Sequence, residues 1–252
     1  MGAIVIDEAD ALLKDHPMEE LDALFNAIPM MKSRSLKCSH PIRKDILVAA
    51  SATADSPIVG EFARRFMHSD WSTISTTNAS MLPNHIIHTL LVCPEVKLFE
   101  SLKKILHASP QPTQALIFAN DPYRVQTICS RLGDANIIAA PLSGNVTKED
   151  RQEILLRLRD GRVSVVVSTD LSARGLDLPD VSHVINFDLP LNTESYLHRA
   201  GRCGRAGRPG IVVNIASGQR MFIPLKLSKH LKVPLYALDV HHGQLWVGKH
   251  VK

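Results

Sequence analysis

The sequence predicts an α/β fold of parallel sheets flanked by helices, laid out in two unequal parts. Three observations predict it. Short apolar, β-branched runs recur along the chain, among them residues 46–50 and 163–167. Stretches of helical spacing lie between such runs, for example residues 96–106 and 124–132. Polar segments carrying acids or glycine close several of the runs, and the carboxyl ends of strands are where open α/β sheets bind ligands. Alternation of this length argues for parallel pairing.

At 252 residues and 45% hydrophobic, the chain has material for one or two domains with a sizeable core. The net charge of +4 and a pI near 8.9 are mildly basic, which suits a nucleic-acid partner without implying one. Cys38, Cys93, Cys129 and Cys203 lack paired zinc spacing, so reduced thiols in an intracellular protein are expected. No apolar run reaches transmembrane length, and no signal or transit segment is recognisable, so no membrane partner is expected.

Residues 2–6 read as a strand that ends in Asp7-Glu8. Carboxylates at a strand end are a usual place to hold Mg²⁺ against nucleotide phosphates. Residues 11–24 have helical spacing, with Leu12, Leu13, Leu21 and Leu24 apolar. Residues 30–44 carry Lys32, Arg34, Lys37, Arg43 and Lys44 and no acid. A surface insertion and a phosphate-contacting arm both fit that stretch. Residues 46–50 read as a second buried strand, closing in Ser51-Ala52-Thr53. Residues 57–66 are the following helix, 73–76 the last strand of this part, and 77–84 a polar, turn-rich linker.

The second part opens with a strand at 85–92. Its His85 and His88, three apart, fall on opposite faces and make no metal site. Further strands are expected at 115–118, 137–140, 163–167, 183–186 and 211–216. A helix begins at the capping pair Thr147 and Asp150. Residues 217–252 set Lys226, Lys229, Lys232, Lys249 and Lys252 against one acid, Asp239, with Tyr236 and Trp246 among them. A nucleic-acid tail fits that composition. An extra helix and strand packed on the domain fits as well, since Ile223, Leu225, Leu231, Leu235 and Leu238 need burial.

Arg199, Arg202, Arg205 and Arg208 recur every third residue beside His198, interleaved with Gly201, Gly204 and Gly207. Such spacing is no apolar period and predicts nothing buried. Arginine suits planar, multidentate contact with phosphate, and glycine lets the backbone come close. A solvated basic loop is the plain alternative. Residues 168–177 and 196–207 resemble the fifth and sixth motifs of the DEAD-box RNA helicases, roughly T-D-x-x-x-R-G-x-D and H-R-x-G-R-x-x-R. Asp7-Glu8-Ala9-Asp10 is similar to the quartet that names the family, Ser51-Ala52-Thr53 to its third motif, and residues 115–120 loosely to its fourth. The motifs occur in the family's order.

The resemblance implies a partial first RecA-like domain over 1–76, the linker 77–84, a complete second RecA-like domain over 85–216, and a basic extension over 217–252. It implies use of ATP and Mg²⁺. Asp7 would organise the Mg²⁺ waters and Glu8 the attacking water. Arg202 and Arg205 would be arginine fingers. Gly175 would admit the backbone and Asp177 would meet the ribose. Asp10, Ser51, Thr53 and His198 would couple the domains. Thr169 and Arg151 would hold RNA phosphates, contacts that read no sequence. Lys148 stands where the family commonly has Gln, and still meets a phosphate as a point charge.

No G-x-x-x-x-G-K-[ST] occurs in the 252 residues. In the family that phosphate loop precedes the D-E-A-D strand, so residues 1–76 are expected to form a half-sheet with an open edge and a half-built core. A piece of a longer chain, a split helicase completed by another chain and a degenerate relative all fit. The chain alone is then expected not to hydrolyse ATP. Two functions stand side by side. One is an ATP-dependent helicase remodelling RNA or ribonucleoprotein, as in ribosome assembly. The other is a non-catalytic RNA-binding assembly factor on the same scaffold.

Overall fold

The computed structural model describes residues 3–28, 46–51, 56–67, 69–74, 82–173, 178 and 181–251. They form two compact units, Met1–Thr76 and Thr77–Lys252. The basic stretch 30–44 and most of the expected linker lie outside the described residues.

In the first unit, β1 (Ala3–Ile6) pairs in parallel with β2 (Ile46–Ala49). The helix expected over 11–24 is two helices, α1 (Ala9–Asp15) and α2 (Met18–Ala27). Pro17 is the reason. Its ring disfavours helical backbone at the residue before it, and His16 is extended at φ −129°, ψ 129°. Helix α3 (Pro57–Phe66) completes the unit, with Pro57 in its first turn, where no N–H is needed. Leu13, Leu21, Val59 and a cluster of Phe25, Phe62 and Phe66 form the core. The Phe25 and Phe66 rings lie 4.7 Å apart, tilted by 39°. The face of the sheet bearing Ile4, Ile6, Leu47 and Ala49 packs on this core. The other face does not. Val5 is 69% exposed, Ile46 47% and Val48 44%. The strands expected to be buried are therefore buried on one face only. The strand expected over 73–76 is absent at Thr73 and Ile74, the two of its residues described, and Ile74 is exposed. Pairing needs a neighbour, and among the described residues this sheet has two strands.

Among the described residues the second unit is a sheet of eight strands between two layers of helices. The strands are β3 (Ile86–Val92), β4 (Ala115–Phe118), β5 (Ala139–Leu142), β6 (Val165–Ser168), β7 (His183–Asn186), β8 (Gly210–Ala216), β9 (Leu235–His241) and β10 (Gln244–His250). Their spatial order is β10-β9-β3-β8-β7-β4-β6-β5. All neighbours run parallel except β10 against β9. The expected extended stretch 137–140 sits two residues later, as β5. The helices are α4 (Leu98–His107), α5 (Pro122–Asp134), α6 (Lys148–Arg159), α7 (Asp170–Ala173), α8 (Thr193–Ala200) and α9 (Phe222–Leu231).

The continuous apolar runs of β4, β6 and β7 follow from this layering, because both faces of a parallel sheet are covered. Leu116, Phe118, Val166, Val184 and Val212 face α6, α8 and α9 through Ile154, Leu158, Leu197 and Leu227. Ile117, Val165, Val167, Ile185 and Val213 face α4 and α5 through Leu102, Ile105, Ile128 and Leu132. Thr147 caps α6, accepting from the Asp150 N–H at 3.1 Å while its hydroxyl donates to the Asp150 carboxylate at 2.8 Å. The extension is not a free tail. Its α9 packs on the sheet, and β9 continues the sheet beside β3.

Two histidines are buried in this sheet. His88 Nδ1 is 2.9 Å from the Tyr196 hydroxyl, and His183 Nδ1 is 2.9 Å from the Ser182 hydroxyl. Burial lowers both to about 4. Between that value and the ordinary 6.5 the unfolded chain binds protons that the folded chain refuses. Their stabilisation is therefore complete above pH 6.5 and is lost as pH falls toward 4. Urea midpoints between pH 7.5 and 4 should drop, with a slope of up to about 2.7 kcal/mol per pH unit from the two groups. The His88→Gln, His183→Gln double variant should flatten the profile. An unchanged profile in that variant would contradict the assignment.

Candidate functional site

Strands β7, β4, β6 and β5 are neighbours, so their carboxyl ends form one contiguous edge. The segments leaving that edge carry Lys148, Arg151 and Thr169. What fixes them is Arg199, on the last full turn of α8. Among the described residues it is the largest fully buried side chain. Its five N–H groups all donate. Nε and Nη2 reach the two oxygens of Asp170 at 2.5 and 2.9 Å. Nη1 reaches the Asn186 side-chain oxygen at 3.1 Å and the Asp188 carbonyl at 2.6 Å. Nη2 also reaches the Asn120 side-chain oxygen at 2.7 Å. The guanidinium lies over the Phe118 ring, 4.9 Å from its centroid. A guanidinium is the one side chain with five donors in a planar fork, so nothing else satisfies this set.

The neighbouring groups extend the network. Asn186 donates to the Asn214 side-chain oxygen at 2.8 Å, and Asn214 donates to the Thr89 carbonyl at 2.9 Å. Asp188 accepts from the Asn120 N–H at 3.1 Å and pairs with Arg124 at 2.8 Å. The prediction that the three-residue arginine spacing buries nothing is therefore corrected. Helix α8 ends at Ala200, so Arg199 points inward from the helix while Arg205 and Arg208 belong to the turn beyond it. Spacing alone misses Asn120, Asp170, Asn186 and Asp188 as its partners. The usable signal was an asparagine inside each of two buried strands, since a buried amide has to find partners.

Thr169 follows β6 and is buried. Its N–H donates to the Leu142 carbonyl at 3.4 Å, tying the ends of β6 and β5 together. Its hydroxyl donates to Ser172 at 3.1 Å. Lys148 and Arg151 lie in the first turns of α6, which begins beyond the end of β5. The structure thus brings Thr169, Lys148 and Arg151 to adjacent strand ends of one edge. Gly175 and Asp177 lie outside the described residues, as does Thr53.

The arginine turn lies at the opposite end of the sheet, because α8 runs back to the start of β8. Arg202 is nearly buried, its Nε donating to the His198 carbonyl at 3.3 Å. His198 lies near the end of α8. Gly204 needs to be glycine. Its φ is +68°, and a Cβ there would stand 2.7 Å from the Ile86 side chain. Its carbonyl is held by His85 Nε2 at 2.7 Å. This anchors the turn Arg205–Gly207, from which Arg205 stands exposed. Arg205 and Arg208 line a cavity of about 660 Å³ together with Gln114, Ser182 and Leu178.

In the first unit, Asp7 is exposed directly after β1, and its Oδ1 accepts from the Glu8 N–H at 2.9 Å. Glu8 is left-handed at φ 50°, ψ 45°, which costs a non-glycine residue about 1 kcal/mol or more. Asp10 is in the first turn of α1. The Ala9 N–H donates to the Ala50 carbonyl at 2.9 Å and the Ala50 N–H to the Ile6 carbonyl at 2.8 Å. These bonds tie the end of β2, which Ser51 follows, to the start of α1. Exposed carboxylate oxygens at a strand end are the hard, partly hydrated donors that Mg²⁺ takes.

Residues 97–207 match the helicase conserved C-terminal domain family. The chain is 30% identical over 240 residues to a probable eukaryotic initiation factor 4A of Trypanosoma cruzi, covering 95% of this chain and 55% of that protein. It is 29% identical over 234 residues to the ATP-dependent RNA helicase SrmB of Escherichia coli, covering 93% of this chain and 50% of that protein. The chain thus spans about half the length of these relatives. Its fold is similar to that of Saccharomyces cerevisiae Dbp5 bound to RNA and ADP BeF3, with a TM-score of 0.74 and 22% identity, covering 94% of this chain and 59% of that one.

Removing Arg199 leaves a carboxylate, two side-chain amides and a backbone carbonyl without this partner. Arg199→Ala should cost about 3–5 kcal/mol in urea unfolding. Arg199→Lys should recover less than half of that, because three donors on one nitrogen cannot reach partners on three strand ends. A loss below about 1 kcal/mol for Arg199→Ala, the size of an ordinary exposed pair, would contradict the network.

Proposed function

We propose, from the premise that this chain belongs to the DEAD-box family of RNA helicases, that its residues serve the ATP-driven remodelling of RNA duplexes or RNA–protein assemblies. The observation that carries the reading is Arg205. It stands exposed on a turn fixed by Gly204 and lines a cavity with Gln114, Leu178 and Ser182. Residues 1–76 supply part of the nucleotide-holding domain, 77–84 the linker, 85–216 the second RecA-like domain, and 217–252 an extension of it.

Phosphoryl transfer is almost wholly positioning and charge neutralisation. Asp7, exposed at the strand end, would hold Mg²⁺ and its waters, and Glu8 would orient the attacking water. When bound, ATP supplies the transferable phosphoryl group and Mg²⁺ the neutralising charge. Arg202 and Arg205 bring positive charge to the phosphoryl oxygens, a contribution of about 10³–10⁵ in rate where it has been isolated. Gly175 admits the backbone to the nucleotide and Asp177 meets the ribose. Asp10, Ser51, Thr53 and His198 couple nucleotide state to the grip on RNA. Lys148 and Arg151 attract RNA phosphates as charges, and Thr169 reaches a phosphate by turning its hydroxyl away from Ser172. Such contacts hold a strand without reading its sequence. The free thiols of Cys93, Cys129 and Cys203 suit a reducing, intracellular setting.

A non-catalytic RNA-binding assembly factor is the second reading. Lys148, Arg151 and Thr169 at one edge would serve it without turnover. Phosphate release with RNA and Mg²⁺ separates the two. The 252-residue chain should release none, for want of a cradle for the nucleotide. Supplying a phosphate-loop segment of the family, in cis or as a second chain, should switch on RNA-stimulated hydrolysis. In that form Arg205→Ala should lower kcat by about a thousandfold and RNA affinity far less. Continued silence of the completed form would favour the second reading. Robust release by the 252 residues alone, abolished by Arg205→Ala, would overturn the account of the site.

A further inference from the structure

We propose that the extension forms an auxiliary grip on single-stranded RNA, separate from the edge that carries Lys148 and Arg151, with Trp246 as its stacking platform. The proposal rests on the RNA reading above and adds a site to it. Charge is the first observation. Residues 217–252 hold six lysines and arginines and one acid, a net +5. Residues 1–216 hold 23 basic and 24 acidic residues, a net −1. All of the chain's positive excess therefore sits in its last 36 residues. The one acid there is occupied by its own neighbours. Asp239 accepts from the Val240 N–H and meets His241 Nε2, both at 2.7 Å.

Placement is the second observation. Helix α9 buries Pro224, Leu227 and Leu231 and presents Phe222, Lys226, Lys229 and His230 to solvent. These positions, at i, i+4, i+7 and i+8, are one stripe. Strand β10 is the edge of the sheet, with β9 as its one neighbour. Leu245 turns into the core. Trp246, the next residue, turns the other way and is 58% exposed. It pairs with Asp239, which shares a face of β9 with Leu235, and Leu235 packs with Met221, Ile223 and Leu225 around α9. Trp246 therefore stands on the same side of the sheet as α9. Lys249 is exposed further along β10.

The chemistry selects the occupant. Lysines attract a polyanion as point charges, and a flat exposed indole stacks on any base, which together hold a strand without regard to sequence. An acidic protein would answer the lysines but has no base to stack on Trp246.

The test uses the whole chain and a labelled oligouridine, read by anisotropy across a salt series. Trp246→Ala should weaken binding roughly tenfold at an unchanged melting temperature. The triple variant Lys226→Gln, Lys229→Gln, Lys249→Gln should flatten the slope of log K against log salt by about 2, at roughly 0.7 per phosphate contact. In a Trp71→Phe background, oligouridine should quench the remaining indole. Parental affinity in both variants, with Arg151→Ala still weakening binding, would overturn the auxiliary grip and leave the functional reading intact. No binding of oligouridine by the parent would overturn both. Polyglutamate displacing oligouridine at equal concentration of charge, and quenching the indole as well, would assign the surface to an acidic protein instead.

Discussion

One buried guanidinium holds the working edge of the second unit together. Arg199 joins Asn120 after β4, Asp170 after β6, and Asn186 and Asp188 at the end of β7. Parallel strands are linked through crossovers, so their ends have no covalent reason to stay in step. Here a single side chain from α8 supplies the reason. Burying such a charge is costly, and the cost is met because every donor has an acceptor and one of the acceptors is a carboxylate. Loss of any partner leaves the rest in a low-dielectric setting, which makes the arrangement all-or-none.

That constraint reaches both candidate regions. Asp170 opens α7, so the bond to Arg199 fixes where the segment after Thr169 leaves the sheet. The same helix α8 that carries Arg199 delivers the chain to Arg202 and then to the Gly204 turn. The edge carrying Thr169, Lys148 and Arg151 and the exposed Arg205 are therefore referred to one frame, although they lie at opposite ends of the sheet. In the first unit the strain is stored differently, in the left-handed Glu8 between β1 and α1.

The central strands were legible in the sequence because burial on both faces leaves an unmistakable apolar run. The β1–β2 pair shows the limit of that signal. Residues 46–50 read as a buried strand, yet Val48 and the neighbouring Val5 lie on an exposed face, because apolar content does not say whether a covering layer exists. Pro17 broke a helix whose apolar spacing continued past it. Arg199 was the larger misreading. Its place among regularly spaced arginines suggested phosphate, whereas its partners come from residues up to 79 positions away, brought together by strand order. Strand order is a property of the whole sheet and leaves little trace in local pattern. The extension was legible in composition and became a surface only when α9 and β10 sorted its apolar residues inward and its lysines outward.

The claim that Arg199 sets the geometry of this edge is tested most directly by residue-resolved amide hydrogen exchange of an Arg199→Met variant against the parent. The informative amides are those of Ala119, Asn120, Thr169 and Asp188, which bond across strand ends at this edge. The account predicts that these lose protection first and most, while the amides of β3 and β8 away from the network keep the protection of the remaining fold. Equal loss at the edge and across β3 and β8, or no loss at the edge, would contradict it.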